Sequence, residues 1–285
     1  MNEEPVHNRL DQRLKEHYPD LSRAYIAKLI SAGQATVNGI VVIKPRQAVT
    51  DSDKIKLNVP AVSEPEDVEI PVIYEDDNLV VIDKPAGLLS HSKGGFNPEP
   101  TVATWLNSRL DKNSGSNRDG IVHRLDRGTS GVMVVAKNPE TGLFLQKQFS
   151  SRKVKKTYVA LIEGELSPVE AVIDLPIERN PKKPQSFRVG ANGKPAQTTY
   201  KILNTIENNS LIELKPKTGR THQLRVHLKH LGHPILGDDF YGGKLADRLY
   251  LHAHKLEFTL PGGERREFIS ATPKEFNKSM FKNDN

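Results

Sequence analysis

The sequence predicts an α+β protein in two parts, a small α/β unit over residues 8–60 and a larger, strand-rich domain over residues 72–285. Three observations carry the prediction. A chain of 285 residues has the length of about two domains. Residues 60–71, PAVSEPEDVEIP, hold three prolines and four acids and little that packs, which marks a linker over 61–71. Beyond it, many short strand patterns recur between turns, which agrees with a sheet-based domain, though periodicity alone would not choose that fold.

Charge and composition narrow the function classes. Lys and Arg number 41 against 35 Asp and Glu, an excess of six with a pI near 9.3. That balance suits a nucleic-acid partner without requiring one. The absence of cysteine removes disulfides, thiolate zinc sites and thiol catalysis together. The first residues, MNEEPVHNRL, are polar and acidic and carry no signal-peptide core. No apolar run approaches the roughly 20 residues of a membrane span. The expectation is a cytoplasmic protein with no membrane partner.

In the small unit, Arg9 to His17 reads as a helix with Leu10 and Leu14 on one face, closed by Pro19. Ser22 is the expected cap of a second helix carrying Ile26, Leu29 and Ile30, and Gly33 is its stop. Strands follow at Ala35–Val37, Ile40–Ile43 and Lys54–Val59, the first two joined by an Asn38–Gly39 hairpin turn. Arg9, Arg13, Arg23 and Lys28 lie off the apolar faces. Singly each reads as part of a solvated helix face; together they form one cationic surface.

The second domain opens with a hairpin, Val72–Tyr74 and Leu79–Asp83, ending in the tight turn DKPAG at Asp83 to Gly87. Thr101–Leu110 reads as an amphipathic helix with Trp105, Leu106 and Leu110 inward, and 111–119 as a polar loop. Ile121 and Val122 then lead into HRLDRGTSG, His123 to Gly131, followed by the buried-strand run Val132 to Ala136. This crossing gathers an imidazole, two guanidiniums, a carboxylate and two hydroxyls at the edge of an apolar strand. Charges there are costly unless paired or used. A polar turn capped by Asp126 is the plain alternative. Leu125 decides against it, because its place between Arg124 and Asp126 sends those two side chains the same way. A carboxylate beside guanidiniums stays ionised at neutral pH, which suits a nucleophile or proton-handling group.

Pro139 opens a helix to about Ser150 with Leu143, Phe144 and Phe149 expected inside. SSRKVKKTYVALIEGEL follows, a basic stretch running into a strand on which Tyr158, Ala160 and Ile162 share one face. Residues 174–197 read as an exposed loop with Arg179, Lys182, Lys183, Arg188 and Lys194. Gln197–Ile206 and Ser210–Pro216 read as antiparallel strands joined by 207–209. Thr221 is the expected cap of a helix over His222–Leu231 with Leu224, Leu228 and Leu231 inward, which aims Arg225 from its first turn into a cleft. RLYLHAHKLEFTL and REFIS supply late strands, and Pro273–Phe281 a closing helix.

These motifs carry a resemblance. DKPAG, HRLD with TSG, KKTYVA and TGRTHQLRVH followed by GHPI and GD resemble the catalytic blocks of the RluA-type RNA pseudouridine synthases. RLDQRL, SRAYIAKLISAGQATVNG and KPRQAVTDSDKIKL resemble the ribosomal-protein-S-four-like (αL) RNA-binding domain. The resemblance covers most of residues 8–260. It implies a catalytic domain of mixed, largely antiparallel sheet with a central cleft, preceded by a small α/β RNA-binding domain. By the same resemblance the reaction isomerises uridine to pseudouridine in RNA with no cofactor. Asp126 would begin cleavage of the glycosidic bond, by adding to the base, attacking the sugar or abstracting a ribose proton. Arg225 would pair with Asp126. Tyr158 would stack on the flipped uracil and handle the proton at carbon 5, as a base only if its surroundings lower its pKa. Arg124 would fill the gap left by the extruded nucleotide, since flipping costs a few kcal/mol of stacking. His123, Thr129, Ser130, Arg220 and Lys84 would complete the substrate-binding set. Arg9, Arg13, Arg23 and Lys28 would hold RNA phosphates.

Two other readings frame this one. His227, His230 and His233 with Asp238 and Asp239 hint at a metal site, but Gly232 and Pro234 put His233 past the helix end and HExxH is absent, so no metal is expected. A non-catalytic RNA-binding or ribosome-assembly factor would share the basic surface yet has no use for the set Arg124, Asp126, Tyr158 and Arg225. Large-subunit ribosomal RNA is the expected substrate and tRNA the alternative, with the chain acting as a monomer.

Overall fold

The computed structural model describes residues 8–59, 68–91, 99–110, 120–206 and 208–278. Most of the linker, residues 92–98, the polar loop 111–119, residue 207 and the end of the closing helix lie outside these. The chain divides into two compact units, residues 1–68 with 91–118, and residues 69–90 with 119–285.

In the first unit the elements run β1 (Asn8–Arg9), α1 (Leu10–His17), α2 (Arg23–Ser31), β2 (Ala35–Val37), β3 (Ile40–Val42), β4 (Ala48–Val49) and β5 (Ile55–Leu57). The apolar stripes predicted for the helices meet here: Leu10, Leu14, Ile26 and Ile30 are wholly buried with Leu29, Ala35, Val49 and Leu57. Ser22 caps α2 as expected, its Oγ accepting from Tyr25 N at 3.2 Å. Asn38 and Gly39 both take positive φ, 52° and 84°, the geometry of the predicted hairpin turn. Strands β3, β2 and β5 form one small sheet, and β1 with β4 a second two-stranded ladder that the sequence did not reveal.

The second unit is built on one nine-stranded sheet. Its strands are β6 (Val72–Glu75), β7 (Leu79–Lys84), β8 (Ser130–Ala136), β9 (Lys155–Glu163), β10 (Glu170–Asp174), β13 (Gln197–Ile206), β14 (Asn209–Pro216), β15 (Leu251–Thr259) and β16 (Arg265–Ile269). Their order is β10-β13-β14-β9-β15-β8-β7-β6, with β16 also on β15. Every pairing is antiparallel except β15 with β8, which meet only at His252↔Ser130 and Ala253↔Gly131. This is the mixed, largely antiparallel sheet expected. Strand β8 is buried along its whole length, which is why it reads as an unbroken apolar run.

The brief parallel contact places the HRLDRGTSG crossing against the sheet, and Gly131 makes it possible. Its φ is +115°, and a Cβ there would lie 2.2 Å from the carbonyl oxygen of Ala253. Gly131→Ala is therefore expected to cost about 3 kcal/mol of stability through backbone strain and overpacking. Urea unfolding of the two proteins measures this directly; a loss under about 1 kcal/mol would show that the strands part without penalty.

Three helical expectations change. The helix α3 (Val102–Arg109) of the first unit buries Val102, Ala103 and Leu106, leaving Trp105 half-buried under the Arg109 guanidinium at 5.0 Å. In α4 (Pro139–Ser150) the inner face is Thr141, Gly142, Leu145 and Gln148, so Leu143 is 70% exposed and Phe144 lies outside too. The cause is polar: Gln148 donates to Thr259 O at 2.8 Å and accepts from Thr259 N at 2.9 Å, completing the end of β15. The third is α5 (Gln223–His230). Thr221 does not cap it; His222 precedes it in the left-handed region at φ 56°, without a side-chain cap. Gln223 anchors the helix start instead, accepting from Thr218 Oγ1 at 2.6 Å and Arg220 N at 3.0 Å and donating to Gln197 O at 2.9 Å. Leu231 falls past the end and is 37% exposed. Within 174–197, expected as loop, a hairpin forms from β11 (Ile177–Arg179) and β12 (Phe187–Val189), and the closing helix α6 begins at Lys274.

Candidate active site

The cleft opens where three pieces of the second unit converge: the crossing at Arg124–Thr129, the start of β9 at Lys156 and Tyr158, and the turn from Pro216 into α5. Leu125 behaves as its place in the sequence predicts. It is buried, and its N–H and carbonyl are both bonded to Ser90 Oγ at 3.1 and 2.9 Å. Arg124 and Asp126 on either side therefore both face the cleft. Thr129 N donates to Asp126 O at 3.1 Å and closes the turn beneath the carboxylate.

Asp126 meets Arg225. The Nη1 of Arg225 donates to Asp126 Oδ2 at 3.2 Å. The opposite edge of the guanidinium is held more tightly, Nε donating to Asp238 Oδ2 and Nη2 to Asp238 Oδ1, each at 2.7 Å. The Asp238 side chain is fully buried, that of Arg225 is 11% exposed and that of Asp126 20%, so exposure increases toward the cleft. Burial alone would lower the pKa of Arg225, but the hydrogen bonds and charge of Asp238, then of Asp126, outweigh it and raise it further. The Tyr241 ring lies under this guanidinium at 4.9 Å.

His222 completes the back wall. Its Nδ1 is 2.7 Å from Tyr241 Oη and its Nε2 3.8 Å from Asp126 Oδ2, and burial pushes the imidazole down against the pull of Asp126. Tyr241 Oη also accepts from Phe187 N at 3.1 Å, which ties the β11–β12 hairpin to the site. On β9, Tyr158 pairs with Leu214 of β14 and Ala253 of β15 and projects into the cleft. Burial and then the charge of Asp126 raise its phenol above the usual tyrosine value. A phenol shifted upward stays protonated at neutral pH, the opposite direction from the lowering a base would need. Lys156, two residues earlier, donates to Thr218 O at 3.1 Å, and burial pushes it down to about 8.

Six of the sequence-predicted residues line this one cleft: Arg124, Asp126, Thr129, Tyr158, Arg220 and Arg225. Three do not. His123 stacks on Phe149 at 4.5 Å and its Nε2 accepts from Val134 N at 3.1 Å; burial pushes it down to about 3, so it is a neutral acceptor under the loop. Ser130 is buried beside His252 Nδ1 at 2.9 Å and accepts from Arg248 Nη2 at 2.5 Å. Lys84 is wholly buried, donating to Pro85 O at 2.8 Å and Leu88 O at 2.7 Å. The resemblance put it in the substrate-binding set; here its ammonium is bonded within the DKPAG turn, away from the cleft lining.

Lys84 yields a signed prediction. Burial brings its ammonium down from 10.5 to about 7, against the pull of Asp126. A neutral amine still has two N–H groups for the two short bonds. Between pH 7 and 10.5 the unfolded chain holds a proton that the folded one releases, so this residue's contribution to stability rises with pH across that window. The stability difference between wild type and Lys84→Met should climb from pH 7 to 9, with a slope of up to about 1.4 kcal/mol per unit. A flat difference in denaturant melts would mean that Lys84 stays charged.

Sequence reasoning gave no role in the site to Asp238, Tyr241 or His222. Asp238 was weighed as a metal ligand and stood in the GD of the family pattern, but nothing tied it to Arg225. The remaining histidines are bonded individually: His227 to Thr198 Oγ1 and Leu175 O, each at 3.0 Å, His233 to Glu163 O at 2.8 Å, and His254 to Ser270 O at 2.8 Å. Asp238 belongs to Arg225.

The comparisons with known proteins bear on what this arrangement is for. Residues 78–230, more than half of the chain, match the family model for RNA pseudouridylate synthase. The chain belongs to the RNA pseudouridylate synthase family. Within that family it is an RNA pseudouridine synthase of the RluA type, with residues 8–55 matching the S4 domain. The uncharacterized RNA pseudouridine synthase of Aquifex aeolicus is 42% identical over 244 residues, 83% of this chain and 77% of the relative. The ribosomal large subunit pseudouridine synthase D of Escherichia coli is 37% identical over 248 residues, 86% of this chain and 76% of the relative. Among solved structures, human RNA pseudouridylate synthase domain containing 4 superposes with a TM-score of 0.60 at 30% identity, covering 74% of this chain and 91% of that one.

The cations of the synthase's S4 domain are largely occupied. Arg9 and Arg23 both reach the buried Asp11, at 2.8 and 3.3 Å, and Arg13 reaches Glu16 and Asp51, each at 2.9 Å. Asp11, which the sequence gave no cause to single out, ties two of the four together. No helix among the described residues is long and apolar enough to cross a membrane.

Proposed function

We propose that this synthase converts specific uridines of large-subunit ribosomal RNA to pseudouridine, with Asp126 as the catalytic carboxylate. The observation that carries the roles is the ion pair at the cleft: a partly exposed carboxylate held by one N–H of a buried guanidinium, beside a phenol. A uridine flipped out of its helix would present its glycosidic bond to Asp126, which begins carbon–nitrogen cleavage. Arg225 orients that carboxylate and balances its charge. Tyr158, protonated, stacks against the detached uracil while it rotates; carbon 5 then bonds to the ribose carbon, the proton on carbon 5 is released to solvent and nitrogen 1 takes one up, so the composition of uridine is kept. Arg124, exposed at the rim, fills the vacated stack. Thr129 shapes the floor and Arg220, tied to Pro195 O at 3.1 Å, the wall.

The ribosomal assignment rests on the 37% identity to synthases that are named for the large ribosomal subunit. Residues 8–60 act as an RNA-binding domain, 61–71 as its linker and 72–285 as the catalytic domain. Arg9, Arg13, Arg23 and Lys28 engage phosphates, the three arginines by exchanging their internal carboxylate partners for RNA, so this grip weakens steeply with salt. The enzyme works as a cytoplasmic monomer without a cofactor. Pseudouridine mapping of RNA from cells with and without the gene tests the substrate. Sites lost from large-subunit RNA support the assignment; sites lost only from tRNA would replace it.

A further inference from the structure

We infer that Asp238 is a positioning residue for the isomerisation, keeping Asp126 available to substrate by occupying the hydrogen-bonding fork of Arg225. The inference rests on the roles proposed for Asp126 and Arg225.

A guanidinium offers five N–H donors in a fixed plane and matches a carboxylate through two parallel bonds. Here that fork is spent away from the cleft. Nε and Nη2 both go to Asp238 at 2.7 Å, and only Nη1 reaches Asp126, at 3.2 Å and to Oδ2 alone. Oδ1 of Asp126 takes no hydrogen bond from Arg225. With the fork free, a buried guanidinium whose one remaining carboxylate is Asp126 would turn to clamp both of its oxygens. That would tie down the pair of atoms that must approach the nucleotide.

The mount of Asp238 is rigid, as such a role requires. Gly237 has φ +75°, and a Cβ there would fall 1.7 Å from Arg248 O; at Gly243 a Cβ would fall 2.1 Å from Ile235 O. Between them the loop closes on itself. Asp238 O accepts from Tyr241 N at 3.2 Å and Gly243 N at 2.8 Å, and Oδ1 accepts a further bond from Tyr241 N at 3.2 Å. Glycines with no room for a Cβ and these hydrogen bonds fix the loop that holds the carboxylate on the side of Arg225 away from Asp126.

The alternative is that Asp238 merely neutralises a buried guanidinium and so stabilises the fold. Steady-state kinetics separate the two. Misplacing a reacting group by about 1 Å costs about 10²-fold, so folded Asp238→Asn should lose about 10²-fold in kcat with KM changed less than about threefold. A lysine has no fork with which to clamp. In an Arg225→Lys background, adding Asp238→Asn should therefore change kcat by less than about threefold. Retention of wild-type kcat by Asp238→Asn, or an equal further loss in the lysine background, would overturn the inference. Should Asp238→Asn fail to fold, Asp238→Ser in both backgrounds gives the same comparison, since it also removes the acceptor pair. Asp126→Asn is measured alongside: activity there would discard the proposed chemistry itself, independently of what Asp238 does.

Discussion

Asp126→Asn should lower kcat for pseudouridine formation by at least about 10³-fold, within the span general acid–base and nucleophilic groups contribute, while leaving folding and RNA affinity nearly intact. The asparagine keeps the shape of the carboxylate and can still accept from Arg225 Nη1, so the 3.2 Å contact has a neutral substitute. The turn below it depends on the backbone, through Thr129 N to Asp126 O, and not on the side chain. Arg225 also keeps its two bonds to Asp238. What disappears is the charge and one carboxylate oxygen at the mouth of the cleft. A filter-binding Kd and a thermal melt, measured beside kcat, check the separation; parallel loss of all three would make Asp126 a structural residue.

Arg225→Met carries the largest expected penalty in stability. It removes the partner of the fully buried Asp238 and, at the same stroke, the partner of Asp126. Breaking a buried ion pair from one side costs about 3–5 kcal/mol, because a charge is left without compensation. The expectation is a loss in that range by denaturant unfolding at pH 7, together with loss of activity. A second substitution, Asp238→Leu, should return a large part of the stability by removing the stranded carboxylate, and none of the activity. If Arg225→Met alone melts like wild type, the buried pair is not the anchor of the site that its geometry makes it.

What the sequence disclosed and what it withheld divide along a physical line. Local rules were legible. Ser22 sits where a cap is needed, Asn38–Gly39 has the residues for two positive φ angles, and β13 and β14 follow their alternation closely. The α+β class and the largely antiparallel sheet came from the family resemblance; the many short strands agreed with it, but periodicity alone would not have chosen it. In the site, Leu125 between Arg124 and Asp126 sufficed to aim both into a cleft, because a buried residue fixes its neighbours' direction.

Long-range choices were not legible. Asp238 reaches Arg225 across a loop whose shape depends on two glycines against distant carbonyls, and no local spacing encodes that. The inner face of α4 was misjudged because Gln148, a polar residue, is buried to complete β15 more than a hundred residues away, which displaces Leu143 and Phe144 outward. Thr221 looked like a cap, yet His222 takes the left-handed turn and Gln223 holds the helix start through strand β13. Lys84 and His123 were charged or titratable residues in catalytic motifs, and burial turned both into supports for the loops that carry the chemistry.

The measurement closest to the central claim is tritium release from a large-subunit ribosomal RNA transcript labelled at carbon 5 of uridine, with wild type and Asp126→Ala compared under the same conditions. The account predicts stoichiometric release by wild type and none above background by the variant, although both bind the transcript. Wild-type protein that binds the transcript but releases no tritium from it, nor from tRNA, would contradict the account.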